Sequence, residues 1–133
     1  MRELIEKMEE KALLAEGYTH YWKYKGFDDK EWKELVAETK KIIQAATKAR
    51  VKLAGPNGSG SPVITSSMIS LNGKDPKDYE TFTLTKDGKS DFTKTDRLPY
   101  DRVVVSILAA AKKINKDFNP SSDGGPKAIK RVY

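Results

Sequence analysis

The sequence predicts a single α+β domain, residues 1–133, in which an antiparallel β-meander packs against two amphipathic helices and follows an N-terminal helix. Two observations predict this class. Apolar residues recur at helical spacing in two segments, and the residues between those segments fall into short alternating runs separated by turn-forming Gly, Pro, Asn and Asp. Because the turns are short, neighbouring strands are expected to pair antiparallel.

The first predicted helix covers residues 1–16, where charges at helical spacing surround a modest apolar stripe. Gly17 ends this helix and separates it from the α+β core of residues 27–133. Because the stripe is too modest for a main core element, we expect the helix to pack against another subunit, which makes the protein a homo-oligomer. The aromatic segment YTHYWKYKGF that follows is predicted to be irregular. The stripe consists of Leu4, Ile5, Met8, Leu13 and Leu14.

The second predicted helix is capped by Asp28 or Asp29 and ends near Ala49. Carboxylates in its first turn suit the positive end of the helix dipole. Its apolar residues repeat with a period of about 3.6 residues, which is typical of a helix with one buried face. That face consists of Trp32, Leu35, Val36, Thr39, Ile42, Ile43 and Ala46.

Residues 51–95 are predicted to form the sheet. A short strand at 51–54 precedes the loop GPNGSGSP, in which Gly, Pro and Ser exclude a helix. VITSSMISLNG predicts one or two strands, YETFTLT a further strand and SDFTKT the last, with the turns GKDPKD and KDGK between them. Phe82 and Leu84 share one face of the YETFTLT strand. Three antiparallel strands joined by such turns form the meander.

The last predicted helix begins at Pro99, because a proline at the first helical position loses no hydrogen bond. The segment NPSSDGGP after this helix is predicted to be a loop, and AIKRVY a final edge strand. The buried face of the helix consists of Val103, Val104, Ile107, Leu108, Ala111 and Ile114.

The composition excludes several kinds of chemistry. The chain has no Cys and one His, so Cys–His catalysis and the usual zinc sites are excluded, and a serine triad would have to use His20. GPNGSGSP lacks the Gly-Lys-Ser/Thr ending of a phosphate loop. No apolar run reaches the roughly 20 residues that span a bilayer, and the N-terminal segment is too charged for a signal peptide. We therefore expect a cytoplasmic protein that is not an enzyme and needs no metal or cofactor.

The net charge of +6 is concentrated late in the chain. Residues 86–133 contain 11 Lys and Arg against six Asp, which accounts for +5 of the total. A basic region of this kind favours anionic partners such as phosphates, nucleotides or nucleic acid, and a solvated lysine-rich surface explains the same charge equally well. No recognisable nucleic-acid-binding motif accompanies it.

The segment KTDRLPYD is the first candidate binding site. A helix N-terminus exposes unpaired N–H groups and a partial positive charge. Lys94, Thr95 and Arg97 stand just before it and would add an ammonium, a hydroxyl and a guanidinium fork that suits phosphate oxygens. Asp101 is counted with them among the candidate ligand-binding residues, and it could compete with an external anion or orient Arg97. An internal Arg97–Asp101 ion pair that fixes the helix entry is the alternative.

The segment SSDG is the second candidate. Ser121, Ser122 and Asp123 precede two glycines, and an Asp in such a turn can accept two hydrogen bonds from a ribose diol or satisfy its own backbone. Nearby aromatic residues could stack on a purine, although core packing is the commoner fate of such side chains. These aromatics are Tyr79, Phe82, Phe92 and Tyr100.

Taken in order, the GPNGSGSP loop, the strand ending in Asn-Gly, the F-x-L strand, KT-x-R-x-PYD and SSDG resemble a family of small phage proteins. Over roughly residues 27–125 the chain is similar to the first-described type of phage Thoeris anti-defence proteins. These sponges sequester cyclic ADP-ribose-type signals that bacterial TIR enzymes make. Asp96 departs from the small residue that the resemblance implies between Thr95 and Arg97, and its charge opposes an anion.

The resemblance implies a non-catalytic oligomer that binds a cyclic ADP-ribose-like or cyclic nucleotide ligand between subunits. In that site Arg97 and Lys94 would hold the pyrophosphate, Phe82 would stack on adenine and Asp123 would bind ribose hydroxyls. Two rival classes stay open: a basic nucleic-acid-binding accessory protein, and a protein-interaction module in which the polar motifs only hold turns.

Overall fold

The computed structural model describes residues 19–96 and 98–122, in which helices and antiparallel strands confirm the predicted α+β class. The predicted helix at 1–16 and the predicted edge strand at 128–133 lie outside the described residues. Neither described helix combines the length and apolar character that a bilayer-spanning helix needs. In chain order the elements are β1 (Thr19–Lys23), α1 (Asp29–Lys48), β2 (Leu53–Ala54), a 3-10 turn (Pro56–Gly58), β3 (Val63–Ile64), β4 (Met68–Gly73), β5 (Phe82–Thr85), β6 (Asp91–Lys94), α2 (Asp101–Ile114) and β7 (Asn119–Ser122).

Helix α1 begins where its capping residues predict. The Asp28 side chain accepts a hydrogen bond from the Glu31 N–H at 2.7 Å, and the Glu31 side chain accepts one from the Asp28 N–H at 3.0 Å. This reciprocal capping box satisfies two N–H groups that a helix start otherwise leaves unpaired. The helix ends at Lys48, one residue before the predicted end.

Helix α2 begins two residues later than predicted. Pro99 and Tyr100 lie in the turn that precedes it, and Asp101 is its first residue. Most of α2 is buried, because α1 packs along it and the residues facing the sheets are apolar. The helix therefore forms the centre of the core rather than a covering layer.

The aromatic segment after residue 18, predicted to be irregular, instead forms the central strand of a three-stranded sheet. In this sheet, called sheet A, the order is β6-β1-β7 and both pairings are antiparallel. His20 and Trp22 point inward while Tyr21 and Lys23 point outward, so the strand alternates with a period of two. The sequence pattern did not indicate that alternation, because aromatic residues occur on both faces of the strand. The predicted loop NPSSDGGP likewise begins with strand β7.

The predicted meander is wrong at its third strand. Strand β4 pairs antiparallel with β2, β3 and β5, which confirms the strands predicted at 51–54, 63–73 and 79–85. Strand β6, however, pairs with β1 rather than with β5. The KDGK turn explains this, because the Lys86 carbonyl accepts a hydrogen bond from the Phe27 N–H at 2.8 Å. Gly88, at φ +82°, leaves room for the Lys25 backbone, and the turn thus leads the chain across to sheet A.

Candidate functional site

The two polar motifs singled out in the sequence leave sheet A at the same end, called the motif end. Strands β6 and β7 are both antiparallel to β1, so they run parallel to each other on its two sides. Lys94, the last residue of β6, pairs with Thr19, and Ser122, the last residue of β7, pairs with His20. Two strand spacings, about 10 Å, separate their ends. Arg97 and Asp123, which follow these ends, lie outside the described residues.

Thr95 and Asp101 are buried, which corrects their assignment as direct ligand contacts. Their exposed fractions are 0% and 4%. Thr95 Oγ1 donates to Asp101 Oδ1 at 2.5 Å, and His20 Nε2 lies 2.6 Å from the same oxygen. This buried polar cluster, called the Asp101 cluster, ties the start of α2 to β1 and to the end of β6. No local pattern could have predicted it, because His20 and Asp101 are 81 residues apart.

The Asp101 cluster does not have the properties of a serine or threonine triad. The Thr95 hydroxyl bonds to Asp101 instead of to the imidazole, and His20 has no exposed surface. A triad needs its hydroxyl within hydrogen-bond reach of the base and next to a bound substrate. The cluster therefore serves as an internal brace that holds the start of α2 against β1 and the end of β6.

Tyr100 is also buried, so it braces the motif rather than contacting a ligand. Its hydroxyl donates to the Glu80 carbonyl at 2.7 Å and lies 3.4 Å from the Lys94 carbonyl. Burial raises the pKa of this hydroxyl above its ordinary value of 10.0, and the carboxylates of Asp101 and Glu80 raise it further. The neutral phenol is thus the form that the fold requires.

Stability is expected to fall at alkaline pH because of Tyr100. A raised pKa in the folded state adds stability that is complete below the unfolded value of 10.0 and is lost as the pH rises above it towards the folded value. The loss is up to about 1.4 kcal/mol per pH unit for one group. Urea denaturation at a series of pH values should show a shallower alkaline decline for Tyr100→Phe than for the parent protein. Equal slopes would contradict this assignment.

Phe82 is buried in the core, so it cannot stack on a ligand as expected. Its exposed fraction is 0%, and its ring meets the Trp22 ring edge-on with 5.3 Å between centroids. Two other aromatic side chains are exposed on sheet A instead. Tyr21 and Phe92, 44% and 56% exposed, form a cross-strand pair with ring centroids 6.3 Å apart.

These two rings line a surface depression, called the aromatic depression, of about 620 Å³. Ser121, which pairs with Tyr21 across β1 and β7, lines it as well, as do Lys23 and Asn119. Trp22 also borders it, and the buried indole Nε1–H of this residue has no hydrogen-bond partner among the described residues. A volume of this size lies within the range of small-molecule sites.

Lys94 lies at the motif end and outside the lining of the aromatic depression. It lies on the same outward side of β6 as Phe92, two residues further along the strand. Its Nζ is 5.6 Å from the centre of the Tyr79 ring, and its N–H donates to Glu80 Oε1. Asp96 then adopts φ +52°, a left-handed conformation that Asp and Asn tolerate better than most residues. This backbone requirement accounts for a short polar residue just before Arg97.

Neither a known protein family, nor a curated protein, nor a solved structure matches the chain. The phage-family resemblance of its motifs therefore stays a prediction. Within residues 19–96 and 98–122, no group of His, Asp and Glu side chains is arranged to hold a metal ion.

Of the predicted site residues, the structure brings Lys94, Ser121 and Ser122 to sheet A, where Ser121 is exposed and Ser122 is buried. It removes Phe82, Thr95, Tyr100 and Asp101 from direct ligand contact. Pattern analysis missed Tyr21 as a candidate, because its strand was not recognised. The sequence predicts Phe92 as an aromatic near the polar motifs, and the structure shows that its ring is exposed.

Proposed function

We propose that this protein is a non-enzymatic sponge that binds and sequesters a cyclic ADP-ribose-like or cyclic nucleotide immune signal in the bacterial cytoplasm, as a homo-oligomer. One observation carries the proposal: the KTDR and SSDG motifs, which are distant in sequence, leave sheet A at one end on either side of β1. The aromatic depression begins at the Tyr21–Phe92 pair, two residues along β6 from Lys94 on the same sheet.

In the proposed complex the nucleotide lies along the outward side of sheet A. The base stacks on Tyr21 and Phe92, which replace Phe82 in that role, and stacking of this kind contributes about 1–3 kcal/mol per base. The pyrophosphate extends to Lys94 and Arg97, where an ammonium and a guanidinium supply charge-assisted hydrogen bonds. Ser121 and Asp123 bind ribose hydroxyls.

The absence of catalysis in this proposal is supported by the position of His20. The imidazole is the one side chain whose ordinary pKa suits proton transfer near neutral pH, and the sequence contains a single His. That side chain has no exposed surface and lies against Asp101. A ligand held at the motif end would therefore meet binding groups and no general base of this type.

A ligand panel tests the proposal. Tight binding stabilises the folded protein by mass action and so raises its melting temperature. The added stability is about 2.7 kcal/mol at a ligand concentration 100 times Kd. We expect cyclic ADP-ribose isomers to raise the melting temperature and to be recovered chemically unchanged after heat release. Linear ADP-ribose and AMP serve as controls for the cyclic shape. Equal shifts with AMP, or steady conversion of the ligand, would contradict a selective sponge.

Binding of single-stranded nucleic acid is the second candidate, because exposed Tyr21 and Phe92 flanked by Lys23 and Lys94 form a surface on which successive bases can stack. Nucleic-acid affinity would fall log-linearly with salt, with a slope that counts the phosphates contacted. The absence of any mobility shift of a labelled oligonucleotide at low salt removes this candidate. If the protein binds neither a nucleotide nor nucleic acid, the protein-interaction module is the remaining function.

A further inference from the structure

Helix α1 is covered along only half of its length. The buried side chains on its predicted apolar face, Trp32, Leu35 and Thr39, all belong to its first eleven residues. In the second half Ile42, Ile43 and Ala46 are only partly buried and Ala45 is exposed, as is Ala49 just after the last helical residue. The sequence therefore continues an apolar face beyond the point where the described part of the chain covers it.

The uncovered face is one wall of an apolar groove of about 290 Å³, called the helix groove. Ile42, Ala45 and Ala46 line it from α1, Ala49 lines it from just beyond the end of α1, and Val103 lines it from α2. The second half of α1 lies against the first turns of α2, while the first half lies against the end of α2, so the helices run antiparallel. The groove consequently opens at the end of the molecule where α2 begins.

The chain enters the fold at this same end. His20, the second residue of β1, lies 2.6 Å from Asp101, and Arg102 next to Asp101 lines the helix groove. Residues 1–16 precede β1 in the sequence and are joined to it through Gly17 and Tyr18. A segment of 16 residues, if helical, is about 24 Å long, comparable with the roughly 21 Å of the 14-residue α2.

The charges of residues 1–16 complement those around the helix groove. The segment contains five Glu against three Lys and Arg, a net charge of −2. Residues 39–74, which include the groove half of α1 and the chain that follows it, contain six Lys and Arg and no Asp or Glu. Lys41, Lys48, Arg50 and Lys52 directly neighbour groove residues in the sequence and are exposed.

We infer that residues 1–16 of a second copy of the chain occupy the helix groove, with the leucine stripe on the alanine-rich wall and the glutamates towards the basic rim. The two-residue connection through Gly17 and Tyr18 favours a second copy, because short hinges favour exchange between subunits. A two-fold axis at this end of the molecule lets each copy fill the groove of the other. This interface does not depend on the proposed nucleotide site.

A charge placed in the groove is the first test. Ala45→Glu puts a carboxylate on the apolar wall of the groove. Lys41 and Lys48 lie about one turn away on either side, where opposite charges stabilise the helix, so the substitution should not weaken α1 itself. Ala37→Glu is the matched control, since Ala37 is exposed on the same helix but lies outside the groove. We expect Ala45→Glu, and deletion of residues 1–16, to lower the mass by light scattering to that of one chain, which is 14.9 kDa for the full-length variant and correspondingly less for the deletion, while Ala37→Glu leaves it unchanged. An unchanged mass for either of the first two variants overturns the inference.

Cysteine cross-linking distinguishes exchange from folding back within one chain. The natural sequence has no Cys, so Met8→Cys and Ala49→Cys introduce a single possible pair between the segment and the groove. Oxidation of the double variant should give a covalent dimer, and mixing the two single variants should give the same band. A cross-linked monomer, or no cross-link, contradicts docking in a second copy. Melting temperatures of all variants, measured without ligand, keep an unfolded variant from being mistaken for a dissociated one.

Discussion

Replacing Asp101 with alanine is expected to lower the free energy of unfolding by about 3–5 kcal/mol, the range for breaking a buried polar or ionic pair from one side. The Asp101 side chain is 4% exposed and holds both Thr95 Oγ1 and His20 Nε2 within 2.6 Å. Its loss leaves two buried polar groups without this acceptor, and water cannot easily replace it. The start of α2 and the start of β1 would lose their shared contact.

Urea denaturation of Asp101→Ala beside Asp29→Ala measures this effect. Asp29 is the matched control, because it is also the first residue of a helix but is exposed, and its carboxylate pairs with Lys86 at the surface. The Asp29 variant should change stability far less. The double variant Arg97→Ala/Asp101→Ala then examines the alternative that Arg97 braces Asp101. If the double variant loses no more stability than Asp101→Ala alone, and Arg97→Ala is nearly as destabilising, the result would support that brace.

Phe82→Ala is expected to cost about 3–5 kcal/mol of stability, because it removes a fully buried aromatic ring and leaves a cavity. The Phe82 ring packs edge-on against Trp22, and β5 pairs with β4 through Leu71 at this position. The two sheets therefore meet at this side chain. A loss of this size is a large fraction of the roughly 5–15 kcal/mol by which domains are stable, so the variant should unfold at much lower urea concentration or temperature.

Phe92→Ala is the matched comparison, since it makes the same change on the exposed side of sheet A. Its stability should stay within about 0.5 kcal/mol of the parent protein, as for most surface substitutions. Its affinity for a bound nucleotide should instead fall five- to hundred-fold, which corresponds to about 1–3 kcal/mol of lost stacking. Similar stability losses for both variants, or an unchanged ligand affinity for Phe92→Ala, would contradict the exchange of roles between these two phenylalanines.

Helix α1 and the β4–β5 pair followed from the sequence because their signals are local. The Asp28–Glu31 capping box and a 3.6-residue period lie within one segment, and a short connection makes β4 and β5 neighbours. The place of β6 did not follow, because the choice between β5 and β1 depends on contacts between the KDGK turn and residues 25–27. Pairing between strands that are far apart in the sequence produces no signal in a local sequence pattern.

The candidate site was predicted only in part, for a related reason. Hydroxyl and carboxyl groups near a helix start are equally suited to a phosphate ligand and to an internal brace, and burial decides between the two uses. Thr95 and Asp101 act as internal braces because β1 places His20 within hydrogen-bond distance of Asp101, which also accepts from Thr95. Lys94 and Ser121 kept access to the outward side of sheet A. Residue type thus predicted the chemistry of the motifs, and the fold determined which members face outward.

Titration of a cyclic ADP-ribose isomer into Arg97→Ala by isothermal calorimetry, with chemical denaturation of the same samples, tests the proposed phosphate site most directly. Losing a charge-assisted bidentate contact should weaken binding roughly ten- to hundred-fold, or about 1.5–3 kcal/mol, while stability moves by less than about 1 kcal/mol. Arg50→Ala, which removes an exposed Arg beyond the end of α1, should leave affinity unchanged, and Asp96→Asn, which removes a charge but suits the same left-handed backbone, should raise it. A clear loss of stability for Arg97→Ala with unchanged nucleotide affinity, or no measurable binding by the parent protein, would contradict the account.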